Sequence, residues 1–294
     1  MPAELAQSIQ FVEAELPSEA VIFGRTSAMR EVRGKIERAL HSDLPVLIQG
    51  ESGTGKEVIG RFLHTRSSRR DAPFVKLNCT AIPVNLLESE LLGHDPSSPA
   101  RESDSKRGLV ESAEGGTLFL DEIGEMEWGL QAKLLRLIQD GRYLRVGGRE
   151  ERLAHVRVVC STNSDLAAAV ERRAFRQDLL YRIDVIGLRL PPLRERMKDI
   201  PQICEYLLEK LSRQFGKKAP QLSPAAFQLL MQWKWPGNIR ELENWIARII
   251  IFGAEEVVGL ELKRQLASMN PEESRGHRPL NLREVGLRRP RQHR

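Results

Sequence analysis

Gly50-Glu51-Ser52-Gly53-Thr54-Gly55-Lys56-Glu57 follows directly on the apolar run Pro45–Gln49 (P-V-L-I-Q), and its spacing decides the fold. Glycines so close together let the backbone turn inward, so that its N–H groups can cradle phosphate oxygens. A helix beginning here would aim its positive end at the same oxygens, and Lys56 can reach the outer phosphates. The eighth position holds Glu57, where the general motif has a Ser or Thr to ligand Mg²⁺. Taken alone, the segment reads either as a phosphate-binding loop or as a glycine-rich turn. A second apolar run decides between them. Gly115–Glu122 (G-G-T-L-F-L-D-E) predicts a buried strand that delivers two carboxylates rigidly. Asp121 is placed to hold Mg²⁺ through its waters, and Glu122 to orient and deprotonate an attacking water. Asn163, at the end of the next predicted strand, can sense the γ-phosphate or place that water, or serve as a turn residue.

Four β-rich runs alternate with helical stretches: Pro45–Gln49, Phe74–Asn78, Thr117–Leu120 and Val156–Ser161, with Val185–Leu190 a fifth. This alternation predicts an α/β fold with a parallel five-stranded sheet and helices on both faces. Ligands in such sheets sit at the carboxyl ends of the strands, where Gly50–Lys56, Asp121–Glu122 and Asn163 all fall. After Pro191-Pro192 the pattern is helical only, over Asp199–Phe215, Ser223–Trp233 and Asn238–Phe252, the second opening with a Ser-Pro pair. The expected organisation is a short N-terminal segment (1–20), an α/β subdomain (21–193), a small α-helical lid (194–262) and a basic, disordered tail (263–294).

The net charge of +5 is unevenly placed, since residues 264–294 carry eight arginines against three glutamates and the rest is balanced. Nonspecific contact of that tail with nucleic acid is the alternative to a merely solvated end. The first sixteen residues have no basic region of a signal peptide, and no stretch approaches the ~18 uncharged apolar residues of a membrane span. A cytoplasmic location without membrane contact is expected. Cys79, Cys160 and Cys204 are too scattered for a disulfide framework or a C-x-x-C metal pair and read as small buried residues.

With Glu88–His94 (E-S-E-L-L-G-H), Phe175–Ile183 (F-R-Q-D-L-L-Y-R-I), Leu190–Arg196 (L-P-P-L-R-E-R) and Trp235–Leu242 (W-P-G-N-I-R-E-L), these motifs resemble the central AAA+ ATPase domain of the NtrC-like enhancer-binding proteins. Those are the sigma-54-dependent bacterial transcription activators, and the resemblance runs from about Val21 to Leu262. It implies an AAA+ P-loop NTPase that binds and hydrolyses ATP with Mg²⁺, and it makes Glu57 the typical residue of its loop. Gly50, Glu51, Ser52, Gly53, Thr54, Gly55, Lys56 and Glu57 would form the nucleotide loop, with Arg240 the second sensor reaching in from the lid. Asp121 and Glu122 would be the Walker B pair, Asp121 on the metal, and Asn163 the first sensor. Asn78 matches the asparagine that restrains the catalytic glutamate, its other reading being a capped strand end. Arg176 and Arg182 match arginines sent into a neighbouring subunit's site, where a guanidinium neutralises charge on the transferred phosphoryl group. A self-assembled ring, by resemblance a hexamer, is implied, with RNA polymerase or a sigma factor as partner.

Two departures qualify that expectation. The family's G-A-F-T-G-A loop, which presses a Phe and a Thr onto sigma-54, is replaced in register by Ser97-Ser98-Pro99-Ala100-Arg101-Glu102. Such a loop cannot make the same apolar contact, so stable sigma-54 engagement is not expected. Residues 1–20 are too few for a receiver or sensor domain, and 263–294 lack the periodicity of a helix-turn-helix, although Pro279–Leu287 looks like the start of a linker to one. No complete DNA-binding domain is therefore expected within the chain, whatever DNA contact the tail makes. The alternative reading is a regulator that uses ATP as a ligand to oligomerise or to bind DNA or polymerase, without remodelling sigma-54.

Overall fold

A computed structural model of the chain describes residues 10–11, 16–95 and 105–252. The hexapeptide 97–102, the last ten residues assigned to the lid and the basic tail lie outside the described residues.

The main sheet is built from β1 (Gln10–Phe11), β2 (Val46–Gln49), β3 (Phe74–Asn78), β4 (Thr117–Asp121), β7 (Arg157–Thr162) and β8 (Ile186–Arg189), in the spatial order β1-β3-β4-β7-β2-β8. The five strands expected from the sequence are present and mutually parallel. The addition is β1, which pairs antiparallel with β3. Residues 10–11 belong to the segment assigned no strand. The edge of β3 offers unpaired backbone groups, and two extended residues suffice to satisfy some of them. The remaining strands, β5 (Arg142–Leu144) and β6 (Glu151–Leu153), form a separate hairpin, too short and too exposed to leave a periodic signal.

Strand alternation explains the two apolar layers. On β2, Leu47 faces one core while Val46 and Ile48 face the other; on β4, Leu118 and Leu120 oppose Phe119; on β7, Val158 and Cys160 oppose Val159. Helices α1 (Glu19–Phe23), α2 (Ser27–Ala39) and α3 (Lys56–Thr65) contribute to the second layer. The first is covered by α4 (Val84–Leu92), α5 (Leu109–Ser112), α6 (Trp128–Asp140), α7 (Leu166–Glu171) and α8 (Gln177–Ile183). Apolar residues on both faces are what a parallel sheet requires.

The lid contains α9 (Ile200–Phe215), α10 (Pro224–Gln232) and α11 (Asn238–Phe252), packed around Leu207, Trp235, Trp245 and Ile246. Ser223 caps α10 by accepting the Ala226 N–H at 3.1 Å, with Pro224 at the first helical position, as the Ser-Pro pair predicts. The entry to the lid, just before α9, is fastened to the α/β subdomain by Arg196 and Asp199, both buried. Asp199 accepts from the Arg196 Nε at 3.1 Å, the Arg25 N–H at 2.7 Å and the Thr26 hydroxyl at 3.1 Å.

Candidate nucleotide-binding site

Sheet order brings three distant segments to one edge. Strands β4, β7 and β2 are neighbours, so their carboxyl ends set Asp121-Glu122, Asn163 and the Gly50–Gly55 loop side by side. The Gly50 N–H donates to Thr162 O at 3.2 Å, which ties the start of the loop to the end of β7. Thr54 turns its hydroxyl back onto Glu51 O at 2.8 Å, and Lys56 donates to Gly50 O at 2.9 Å. These bonds leave the loop wrapped around the first turn of α3.

Lys56 is 7% exposed, and its Nζ lies 3.2 Å from Glu122 Oε1. The other Glu122 oxygen accepts the Asn163 N–H at 2.9 Å. Glu122 itself sits at φ +54, a backbone region uncommon for a residue with a side chain, at the turn where β4 ends. Asp121 accepts a hydrogen bond from the Ser161 hydroxyl. Its second oxygen lies 3.9 Å from Lys76 Nζ, which also reaches Glu57 at 2.6 Å. Asn78 uses its side-chain oxygen to accept from the N–H and hydroxyl of Thr80, at 3.0 and 2.8 Å. That is the capped strand end of its alternative reading.

From the lid, Arg240 donates to Ser52 Oγ at 2.8 Å, so this distant arginine does meet the phosphate-type loop. A cavity of about 730 Å³ is lined by residues 52–57, Asn78, Asp121, Glu122, Asn163 and Arg240, and also by the apolar Val21, Ile22, Ile203 and Ile239. A lining that combines charged and polar groups with apolar side chains suits a nucleotide, which carries both phosphates and a flat ring. Gly50 and Glu51 support the loop without lining the cavity, and Arg176 and Arg182 do not line it either. Arg176 is gripped by Asp178 at 3.0 and 2.8 Å and lies 5.4 Å from the centre of the Trp128 ring, while Arg182 is exposed on α8.

Sequence reasoning missed Ser161, Lys76, Asn238 and Arg194. The last two lie inside quoted motifs, yet their partner Glu51 is far away in the chain, and local spacing carries no sign of it. All three cysteines are buried. Burial, reinforced by the charges of Asp121 and Glu122, pushes the Cys79 thiol up to about 12, so it stays protonated beside the acids.

A parallel sheet in this order, a glycine loop after β2 and a helical lid seated on that loop define the AAA+ P-loop class. A sequence profile described as Sigma-54 interaction domain matches residues 22–189, and one described as AAA+ ATPase lid domain matches 194–279. The chain belongs to the Sigma-54 interaction domain family. It is 47% identical over 240 residues to a Nif-specific regulatory protein of Azotobacter vinelandii, covering 82% of this chain and 46% of that protein. It is 42% identical over 271 residues to the DNA-binding transcriptional regulator NtrC of Azospirillum brasilense, covering 92% and 55%. Among solved structures it resembles NtrX from Brucella abortus in complex with ATP, with a TM-score of 0.74 and 35% identity over 80% of this chain and 51% of that one. The chain thus spans about half the length of the relatives it matches.

Proposed function

We propose that this chain binds and hydrolyses ATP with Mg²⁺ and acts as a self-assembling ATPase module of a transcription regulator. One observation carries the reading: Lys56, Asp121, Glu122, Asn163 and Arg240 converge on a single cavity. Lys56 supplies a point charge to the outer phosphates, and Arg240 a second from the lid. Glu122, steadied by the Asn163 N–H, takes a proton from water as the water oxygen attacks the γ-phosphorus. The bond to the bridging oxygen breaks, and ADP departs with the electron pair.

The donor set fits Mg²⁺, which needs only one or two carboxylates when substrate phosphates and waters complete its octahedron. Asp121 is a hard oxygen donor at the cavity edge, and among the described residues no group of three or more acidic, His or Cys side chains forms an all-protein cage. When bound, Mg²⁺ would neutralise phosphate charge. Arg176 and Arg182, away from the cavity of their own chain, are assigned to the site of a neighbouring copy, which requires a ring. Asn78 is assigned to restrain Glu122, in exchange for its present bond to Thr80. Among the described residues no helix is long and apolar enough to cross a membrane, and a cytoplasmic location is part of the proposal.

Phosphate release by the purified chain, followed with and without Mg²⁺ over a range of protein concentrations, tests this reading. Release that needs Mg²⁺ and grows faster than protein concentration supports it; no release at any concentration overturns hydrolysis.

The hexapeptide Ser97–Glu102 favours a second reading for the partner, in which ATP drives assembly or contact with DNA or polymerase without remodelling sigma-54. Lacking an aromatic and a threonine, that segment is expected to give no co-elution with sigma-54 on gel filtration, even with a nucleotide analogue that mimics the transition state. Co-elution would show the hexapeptide to be a working substitute.

A further inference from the structure

Three consecutive residues of the phosphate loop are held by the lid and its entry. Glu51 receives both guanidinium nitrogens of Arg194, at 2.6 and 2.9 Å, and the Asn238 side-chain N–H at 3.2 Å. Ser52 accepts from Asn238 at its carbonyl, 2.9 Å, and from Arg240 at its hydroxyl. Gly53 O accepts the Ile239 N–H at 3.0 Å. Gly53 also needs to be glycine, because a Cβ there would stand 2.4 Å from Gly237 O.

Asn238 is the centre of this arrangement. It is fully buried, sits at φ +53, and accepts the Leu193 N–H at 2.7 Å while its two amide hydrogens serve the loop. A turn prepares it: Glu241 accepts from the Gly237 N–H and the Trp233 indole, both at 2.8 Å, and Trp235 buries its ring below. One side chain therefore joins the lid entry, the start of α11 and the loop.

Charge gives the fork its second role. Glu51 places a carboxylate within a loop suited to anions, and an uncompensated negative charge there would oppose them. Hydrogen bonds from Arg194 first, then Asn238, hold the Glu51 carboxyl below its usual range, and Glu51 in turn raises Arg194. Because both side chains are about two-fifths exposed, the pair contributes little to global stability. Its effect is local, on loop geometry and loop charge.

We infer that Arg194 and Asn238 are positioning residues that yoke the lid to the phosphate loop through Glu51, so that nucleotide affinity depends on side chains that do not line the nucleotide cavity. The inference rests on the nucleotide-binding reading, but its geometric half is independent of nucleotide.

The test uses the full chain, a fluorescent ATP analogue, and wild type against Arg194→Gln, Glu51→Gln and the double variant. Arg194→Gln is expected to weaken binding about tenfold. Adding Glu51→Gln to it should recover part of that loss by removing the stranded carboxylate, a sign that mere loss of packing would not give. Arg194→Lys, with charge but no fork, should fall between wild type and Arg194→Gln. Wild-type affinity in Arg194→Gln, or a double variant that binds no better than Arg194→Gln, overturns the yoke. Hydrogen exchange of the Ile239 amide, measured without nucleotide, separates this from the function: it should quicken about tenfold in Arg194→Gln, and unchanged exchange would also overturn the yoke. Absence of nucleotide binding by the wild type would instead defeat the proposed function.

Discussion

Lys56 and Glu122 form an ion pair at 3.2 Å in the lining of the cavity, so the cation of the phosphate loop and the carboxylate at the end of β4 are already paired. Any phosphate that draws Lys56 toward itself loosens its hold on Glu122. The two residues should therefore separate binding from chemistry. Lys56→Ala is expected to abolish ATP binding by removing the point charge. Glu122→Gln should keep binding and lose roughly 10²–10⁴-fold in turnover. Isothermal titration with ATP checks the first, single-turnover hydrolysis the second. Equal losses of affinity in both variants would overturn the assigned roles.

Arg176 supplies a test of the ring. Its guanidinium is held by Asp178 and does not line its own chain's cavity. Arg176→Ala should lower specific activity by about 10³-fold or more if it acts as a finger in trans. Mixing it with Glu122→Gln should recover part of the activity, since some interfaces then combine an intact acid with an intact arginine. Mixtures no more active than either variant alone would place the arginine elsewhere.

Asp199 is predicted to be a stability residue. Removing it as Asp199→Ala leaves Arg196, 4% exposed, without its carboxylate, and a broken buried pair costs about 3–5 kcal/mol. Gly24→Ala should act through the same contact, because its Cβ would lie 2.2 Å from Asp199 Cγ and its φ of +58 is unfavourable for alanine. Urea unfolding of each variant measures the loss. A double variant whose loss falls short of the sum of the two single losses would show that the two share one contact, the remainder being the strain of alanine at φ +58.

His64 gives the fold a pH dependence. Burial holds its pKa below the ordinary value of 6.5, and its Nδ1 lies 3.0 Å from the Thr117 hydroxyl. As pH falls below 6.5 the unfolded chain takes up a proton that the folded chain refuses, so stability drops until the folded pKa is passed. Above 6.5 this residue contributes no slope. Urea midpoints at about pH 7 and about pH 5.5 should therefore differ less in His64→Gln than in wild type.

Much of the site was legible because its chemistry is local. Val46–Glu57 and Thr117–Glu122 each encode a strand and the group it delivers within twelve residues or fewer, since side-chain alternation and glycine spacing act over that range. The five parallel strands and the Ser-Pro start of α10 were readable for the same reason. The edge strand Gln10–Phe11 was not, because two residues have no periodicity and only the free edge of β3 makes them a strand.

The sequence by itself determined the P-loop class, the acids, the helical lid and the replacement at Ser97–Glu102. Only tertiary structure decided which partners those residues take: Glu51 with Arg194 and Asn238, Asp121 with Ser161, and Lys76 between Glu57 and Asp121. Hydrogen bonds and ion pairs depend on separations of about 3 Å. Along the chain Glu51 and Asn238 are 187 residues apart, and no local pattern in composition or spacing carries that distance; the order of strands and the seating of the lid do.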